Sequence, residues 1–174
     1  MTATEQQDLA GIFRDAMAEL PAGVTVVTAW TRSGDPAGAT VSAASSLSLE
    51  PPLFLVCLAN TSDTQRAIAD TGTFLVHVLG DGQQEVAQYF ATKLAEKFSQ
   101  VSWRRGLADL PQIAGCPVLI ACDVADLIPA GDHVIVIGAI RDIEIDRTGD
   151  PLVYHRRRLL PATTYVPPST RGAA

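Results

Sequence analysis

Apolar and polar positions along this chain change period several times, and each change marks an element. Between residues 2 and 20, Leu9, Phe13, Met17 and Leu20 recur at helical intervals, and Thr2 and Glu5 stand at capping-box spacing. A helix is predicted there, stopped by Pro21 and Gly23. Gly23 to Thr31 has the β-branched density of a strand, and Ser33-Gly34-Asp35-Pro36 reads as a turn. The next run, Gly38-Ala39-Thr40-Val41-Ser42-Ala43-Ala44-Ser45-Ser46-Leu47-Ser48-Leu49-Glu50-Pro51-Pro52, places small residues and hydroxyls where an apolar core strand is expected. Such a strand buries little area, but it permits close backbone approach and offers many donors. That suits a flat polar ligand laid along it; a tight crossing of two strands is the other reading.

Leu53 to Leu58 resumes as a buried strand after Pro51-Pro52. Ser62 and Gln65 again have capping-box spacing, so a short helix is predicted from there through Ala69. Thr73 to Leu79 alternates as a strand, and Gly82 to Thr92 reads as a helix with Val86, Tyr89 and Phe90 on one face. Residues 93–115 are mixed and read as loop. From Pro117 the pattern is all β: Val118 to Asp126, a turn at Pro129-Ala130-Gly131-Asp132, His133 to Asp146, a turn at Thr148-Gly149-Asp150, and Pro151 to Leu159. The chain is therefore expected to be mainly β with inserted helices, an antiparallel barrel closed on itself. One domain is expected over residues 1–160. The proline-rich stretch from Pro161 to Ala174 is read as a mobile tail.

Composition adds exclusions. The 174 residues are 47% hydrophobic with a net charge of −6, enough for one sizeable core and unlike a nucleic-acid footprint. Cys57, Cys116 and Cys122 are an odd number with no zinc spacing, and read as small core residues of a reduced compartment. No metal site is predicted. The N-terminus shows no apolar signal core and no apolar run reaches spanning length, so no membrane association and a cytoplasmic location are expected. No Gly-x-Gly-x-x-Gly fingerprint accompanies a βαβ rhythm, which speaks against a Rossmann fold.

Few residues carry visible chemistry. Asn60-Thr61-Ser62-Asp63-Thr64 lies at a predicted helix start, where free amides and the helix dipole can hold a phosphate. An ordinary N-cap needs only one of these residues, and Asp63 must turn away from any anion. His133 stands at a hairpin turn, as a surface residue or a substrate contact. His77, between Val76 and Val78, reads as a satisfied sheet residue, and His155 is undecided. Tyr154-His155-Arg156-Arg157-Arg158 is a basic run whose alternation puts Tyr154, Arg156 and Arg158 on one side of a strand. No Ser-His-Asp or Cys-His pairing is legible.

Taken in order, several of these segments resemble the short-chain flavin reductases, the reductase components of two-component flavin-dependent monooxygenases. They are Phe13-Arg14-Asp15-Ala16-Met17, Pro21 to Thr28, Gly38 to Ser42, Ser46 to Pro52, Phe74 to Leu79, Gly131-Asp132-His133 with Gly138, and Pro151 to His155. The resemblance implies an FMN-binding split β-barrel of antiparallel Greek-key type, a homodimer that reduces FMN or FAD with NADH or NADPH and hands reduced flavin to a separate monooxygenase. It implies that the flavin ring lies along Ala39, Thr40, Val41, Ser42 and Ala43, with Ser45 and Ser46 bordering the ribityl chain. Cys57 and Leu58 line the ring, and Asn60, Thr61, Ser62 and Thr64 meet the phosphate. Phe90 and Ala91 close over the flavin, and Lys97 approaches the phosphate end.

The same resemblance places His133 beside the nicotinamide as the catalytic-site histidine, with Tyr154 and Arg156 near the same pocket. A hydroxyl of Thr40 or Ser42 is expected to donate toward the flavin N5. Two departures stand out: Arg157 and Arg158 occupy positions where the family often has glycine, and Ala43 or Ala44 stands where many members are more polar. The alternatives are an oxidase that retains FMN and a non-catalytic flavin- or haem-binding module.

Overall fold

The computed structural model describes residues 3–94, 96–147 and 149–164. Its frame is a seven-stranded antiparallel sheet in the order β3-β2-β6-β9-β10-β5-β4. The strands are β2 (Thr25–Trp30), β3 (Pro36–Val41), β4 (Ala44–Leu49), β5 (Pro52–Ala59), β6 (Thr73–Val78), β9 (Val118–Ala130) and β10 (His133–Ile145). β1 (Ala22–Gly23), β11 (Leu152–His155) and β12 (Arg158–Pro161) form a small second sheet, and β7 (Trp103–Arg105) pairs with β8 (Pro111–Ile113). Three α-helices, α1 (Ala3–Ala18), α2 (Asp63–Thr71) and α3 (Gln84–Phe90), complete it.

The order of the large sheet corrects two expectations. The small-residue run is two strands, and they occupy opposite edges of the sheet: β3 pairs only with β2, and β4 only with β5. The sheet therefore curls without closing. Ser42 and Ala43 bridge the two edges, and Ala43 accepts a hydrogen bond from Cys57 N at 2.9 Å. The barrel is split along this seam.

Burial explains why the strands read as they do. Val27, Ala29, Val41, Val56, Phe74, Val76 and Val136 fill the barrel interior together with Ala67 and Ile68 of α2. Val26, on the other face of β2, and Val24 just before it pack with Leu79, Leu152 and, from α3, Ala87 and Phe90. Strand β2 is thus covered on both faces, which accounts for its unbroken apolar run. Gly138 is required inside the barrel, because a Cβ there would stand 2.5 Å from Phe74 Cζ.

Other expectations need amendment. The segment read as loop, 93–115, contains the β7–β8 hairpin and 3-10 turns at Lys97–Gln100 and Leu107–Asp109. It is held by aromatic edges: Phe90 to Phe98 at 5.0 Å, Phe98 to Trp103 at 5.3 Å and Trp103 to Trp30 at 6.0 Å between ring centroids. Periodicity could not reveal contacts between residues so far apart in sequence. The segment Pro151 to Leu159 is a hairpin rather than one strand, because Arg156 (φ 50) and Arg157 (φ 60) turn the chain. The predicted domain end at residue 160 falls inside β12, where Pro161 pairs with Leu152. The rest of the expected tail, 165–174, lies outside the described residues, as do Thr2 and Thr148.

Helix α1 forms as predicted, but Leu9, Ile12, Phe13 and Met17, with Leu20 just beyond it, are all exposed and leave a bare apolar stripe. Its C-terminal end is tied to the β11–β12 turn, where Arg156 N donates to Ala18 O at 2.7 Å. His77 is wholly buried, its Nδ1 bonded to Val26 O at 3.0 Å and its Nε2 accepting from Ile113 N at 3.0 Å. Both ring nitrogens are satisfied, as the sequence suggested, and burial pushes the pKa down to about 4.

Candidate active site

Two neighbouring regions gather the residues singled out by sequence. The first is a cleft of about 650 Å³ beside the seam. Thr40 and Ser42 line it from the seam, Gln84, Ala87, Gln88 and Ala91 from α3 and its C-terminal cap, and Tyr154, Arg157, Arg158 and Leu159 from the β11–β12 hairpin. Among the described residues no carboxylate is part of its lining, although Asp15 pairs with the lining Arg157 from outside it. Helix α3 comes this close because residue 38 is glycine: a Cβ there would fall 2.5 Å from Phe90 Cε1. Phe90 is itself buried, so of the two closing residues expected only Ala91 reaches the cleft.

The seam offers what a planar heteroaromatic ligand needs. β3 is an edge strand, so part of its backbone polarity faces away from the sheet. Gly38 is buried, Ala39 and Thr40 are half-buried, Val41 points into the core, and Ser42, Ala43, Ser45 and Ser46 are exposed. Thr40 Oγ1 donates to Ala87 O at 2.7 Å, which commits its proton to α3. Of the two expected hydroxyl donors, Ser42 is therefore the one left to face a ligand. Small side chains, open amides and unshielded hydroxyls fit a flavin.

The second region is the start of α2. Ser62 caps the helix, accepting from Gln65 N at 3.3 Å, so the sequence pattern marked a real N-cap. Asn60 and Thr61 are exposed, whereas Thr64 is buried beneath the first turn. Asp63 pairs its carboxylate with Arg66. Lys97 stands nearby with Nζ donating to Gly38 O at 3.1 Å and to Phe90 O at 3.4 Å. Burial lowers its pKa, opposed by the charge of Asp63. One cation thus sits between the seam and the helix start. Cys57 is half-buried on the outer face of β5, and Leu58 points inward.

The structure does not bring every candidate together. His133 lies at the tip of the β9–β10 hairpin, beside Ala59, with Nδ1 bonded to Asp132 Oδ1 at 2.7 Å. That bond holds the Asp132 carboxyl below its ordinary range. The tip is fastened to the α2 loop by Asn60 N, which donates to Asp132 O at 2.9 Å. His133 is not a lining residue of the cleft. Arg156 is not one either: the turn brings it onto Glu19, just past α1, at 2.8 Å. The alternation argument failed there because it assumed an unbroken strand. It also missed Arg157, Gln84 and Gln88, which do line the cleft. The departure from glycine at residue 157 was the available signal.

Comparison with known proteins supplies the decisive observation. The flavin reductase like domain model matches residues 17–163. The chain belongs to that family. Among relatives of this flavin reductase-like chain, a protein of Streptomyces coelicolor named actinorhodin polyketide dimerase is 40% identical over 148 residues, covering 85% of this chain and 84% of its own. A flavin reductase (NADH) of Kitasatospora aureofaciens is 40% identical over 153 residues, covering 83% and 78%. Among solved structures, nitrilotriacetate monooxygenase component B of Mycobacterium thermoresistibile superposes with a TM-score of 0.86 at 29% identity, covering 97% of this chain and 93% of that one. Among the described residues no helix is long and apolar enough to cross a membrane.

Proposed function

We propose that this flavin reductase-like chain is an NAD(P)H:flavin oxidoreductase that uses NADH or NADPH to reduce FMN or FAD and supplies the reduced flavin to a separate monooxygenase. The observation that carries the reading is the seam itself, an edge strand of small residues flanked by a cleft that Arg157 and Arg158 line. Bound flavin supplies the hydride acceptor. The chain's own residues position both partners. Backbone groups of Ala39 to Ala43 and the Ser42 hydroxyl hold the ring edge, and an oriented donor there stabilises negative charge as it develops. Ser45 and Ser46 face the ribityl chain, and Asn60, Thr61, Ser62 and Lys97 the phosphate end. Tyr154 walls the dinucleotide side. His133, at the β9–β10 tip outside this cleft, is assigned to the dinucleotide by the family resemblance alone, to orient it without moving protons. Because no proton relay is needed, the absence of a nucleophile–base pair among these residues is consistent with the reading.

A second copy of this chain completes the protein in this reading. Leu53, Leu55 and Cys57 of β5 lie in register with Ala139, Ile137 and Ile135 of β10 on the outer face of the sheet, outside every core cluster. Both faces of these strands are therefore apolar, which a sheet with one wet face does not show.

Steady-state oxidation of NADH and NADPH, with and without FMN, FAD and riboflavin, tests the activity. Dinucleotide consumption that depends on added flavin supports it. Flavin binding without turnover would instead establish a non-catalytic binding module, and turnover of a retained FMN alone would establish an oxidase.

A further inference from the structure

The β11–β12 turn is built against local preference. Two-residue turns with both φ values positive favour Asn and Gly, yet here Arg156 and Arg157 adopt φ 50 and 60. Left-handed backbone at a non-glycine residue is strained, and strain of this kind concentrates where a side chain is needed in place. The two side chains part company. Arg156 reaches Glu19, while Arg157 and the following Arg158 line the cleft. Arg157 is paired with Asp15 of α1, and Arg158 has no carboxylate partner among the described residues. Thr40 and Ser42 of the seam line the same cleft.

We propose that Arg157 and Arg158 form the anion-binding end of this cleft and hold a phosphate of the nicotinamide dinucleotide, with Asp15 as the counter-ion that the phosphate displaces from Arg157. The inference rests on the reductase reading and adds to it the residues that select the dinucleotide. Guanidinium groups recognise phosphate oxygens through paired charge-assisted hydrogen bonds. With salt screening charges beyond about 10 Å, local positive charge rather than net charge decides where an anion binds. The adjacent Arg157 and Arg158 supply that charge, and the remaining polar lining of Thr40, Ser42, Gln84, Gln88 and Tyr154 holds no carboxylate.

Binding of ADP and of adenosine 2′-monophosphate, measured by calorimetry on the full chain, tests the proposal without hydride chemistry. Arg158→Gln is expected to weaken binding about fivefold or more, the scale of one lost charge-assisted contact at a partly exposed site. Asp15→Asn is expected to tighten it, a gain that a merely structural role for the turn would not give. Arg104→Gln, which removes an exposed arginine elsewhere, is the charge control. The KM values then assign the phosphate: a rise for NADH and NADPH alike marks the pyrophosphate, and a rise for NADPH alone marks the 2′-phosphate. Unchanged affinity for both probes in Arg158→Gln, or an equal loss in Arg104→Gln, overturns the proposal. Probe binding that depends on Arg158 in a protein that oxidises neither dinucleotide would keep the phosphate site and remove the reductase reading.

Discussion

Thr40 Oγ1 donates to Ala87 O at 2.7 Å and so fastens the edge strand β3 to helix α3 across the wall of the cleft. The bond gives a flexible edge a fixed distance from the helix that faces it. Thr40→Val keeps the shape and removes the donor. Unfolding free energy in urea is expected to fall by about 1 kcal/mol, the net worth of one such bond, and flavin affinity is expected to fall with it. Thr40→Ser is expected to restore both.

Gly38 and Phe90 test the packing of the same wall. Gly38→Ala forces its Cβ against the Phe90 ring and is expected to cost roughly 1–3 kcal/mol in the same assay. Phe90→Leu in the Gly38→Ala background should recover part of that loss. A double-mutant cycle with no coupling would show that the two side chains do not meet.

His77 makes stability depend on pH. Its folded pKa, about 4, lies below the value of 6.5 for a free imidazole, so the unfolded chain binds the extra proton first. The stabilisation is complete above pH 6.5 and is lost as pH falls toward 4. The histidine contribution alone lowers stability by about 2 kcal/mol between pH 7 and pH 5. Urea unfolding at the two pH values should show this difference, and His77→Gln should flatten it.

His133→Ala is expected to raise KM for the dinucleotide several-fold while flavin affinity changes little. Steady-state kinetics and fluorescence titration of flavin separate the two. Unchanged constants would remove His133 from the dinucleotide site.

The outer faces of β5 and β10 predict the oligomeric state. Light scattering should give twice the chain mass of 18.4 kDa, and Ile135→Asp should give a single chain. A wild-type monomer at micromolar concentration contradicts the proposed pairing.

Much of this architecture was legible in the sequence because it is local. The N-cap at Ser62, the strand breaks at Pro36 and Pro51-Pro52, and the hairpin at Gly131-Asp132 depend on residues a few positions apart. The split of the barrel was not legible by periodicity, since Gly38 to Ser46 is nearly all Gly, Ala, Ser and Thr, with Val41 its one larger apolar residue, and shows no register. The structure separates β3 from β4 by the whole width of the sheet and rejoins them at Ser42-Ala43. The aromatic clasp from Trp30 to Phe90 was hidden for a related reason: its members are separated by up to tens of residues. Arg156 was misjudged for a local reason: alternation presumes an unbroken strand, and here two left-handed arginines turn the chain.

The central claim is that the seam presents flavin to a dinucleotide in the adjoining cleft. Anaerobic mixing of NADH with protein holding one equivalent of FMN, followed by flavin absorbance, tests it most directly. The account predicts stoichiometric bleaching of the flavin, slowed when Arg158 is replaced by Gln at sub-saturating NADH. Flavin that binds and stays oxidised with both NADH and NADPH would contradict it.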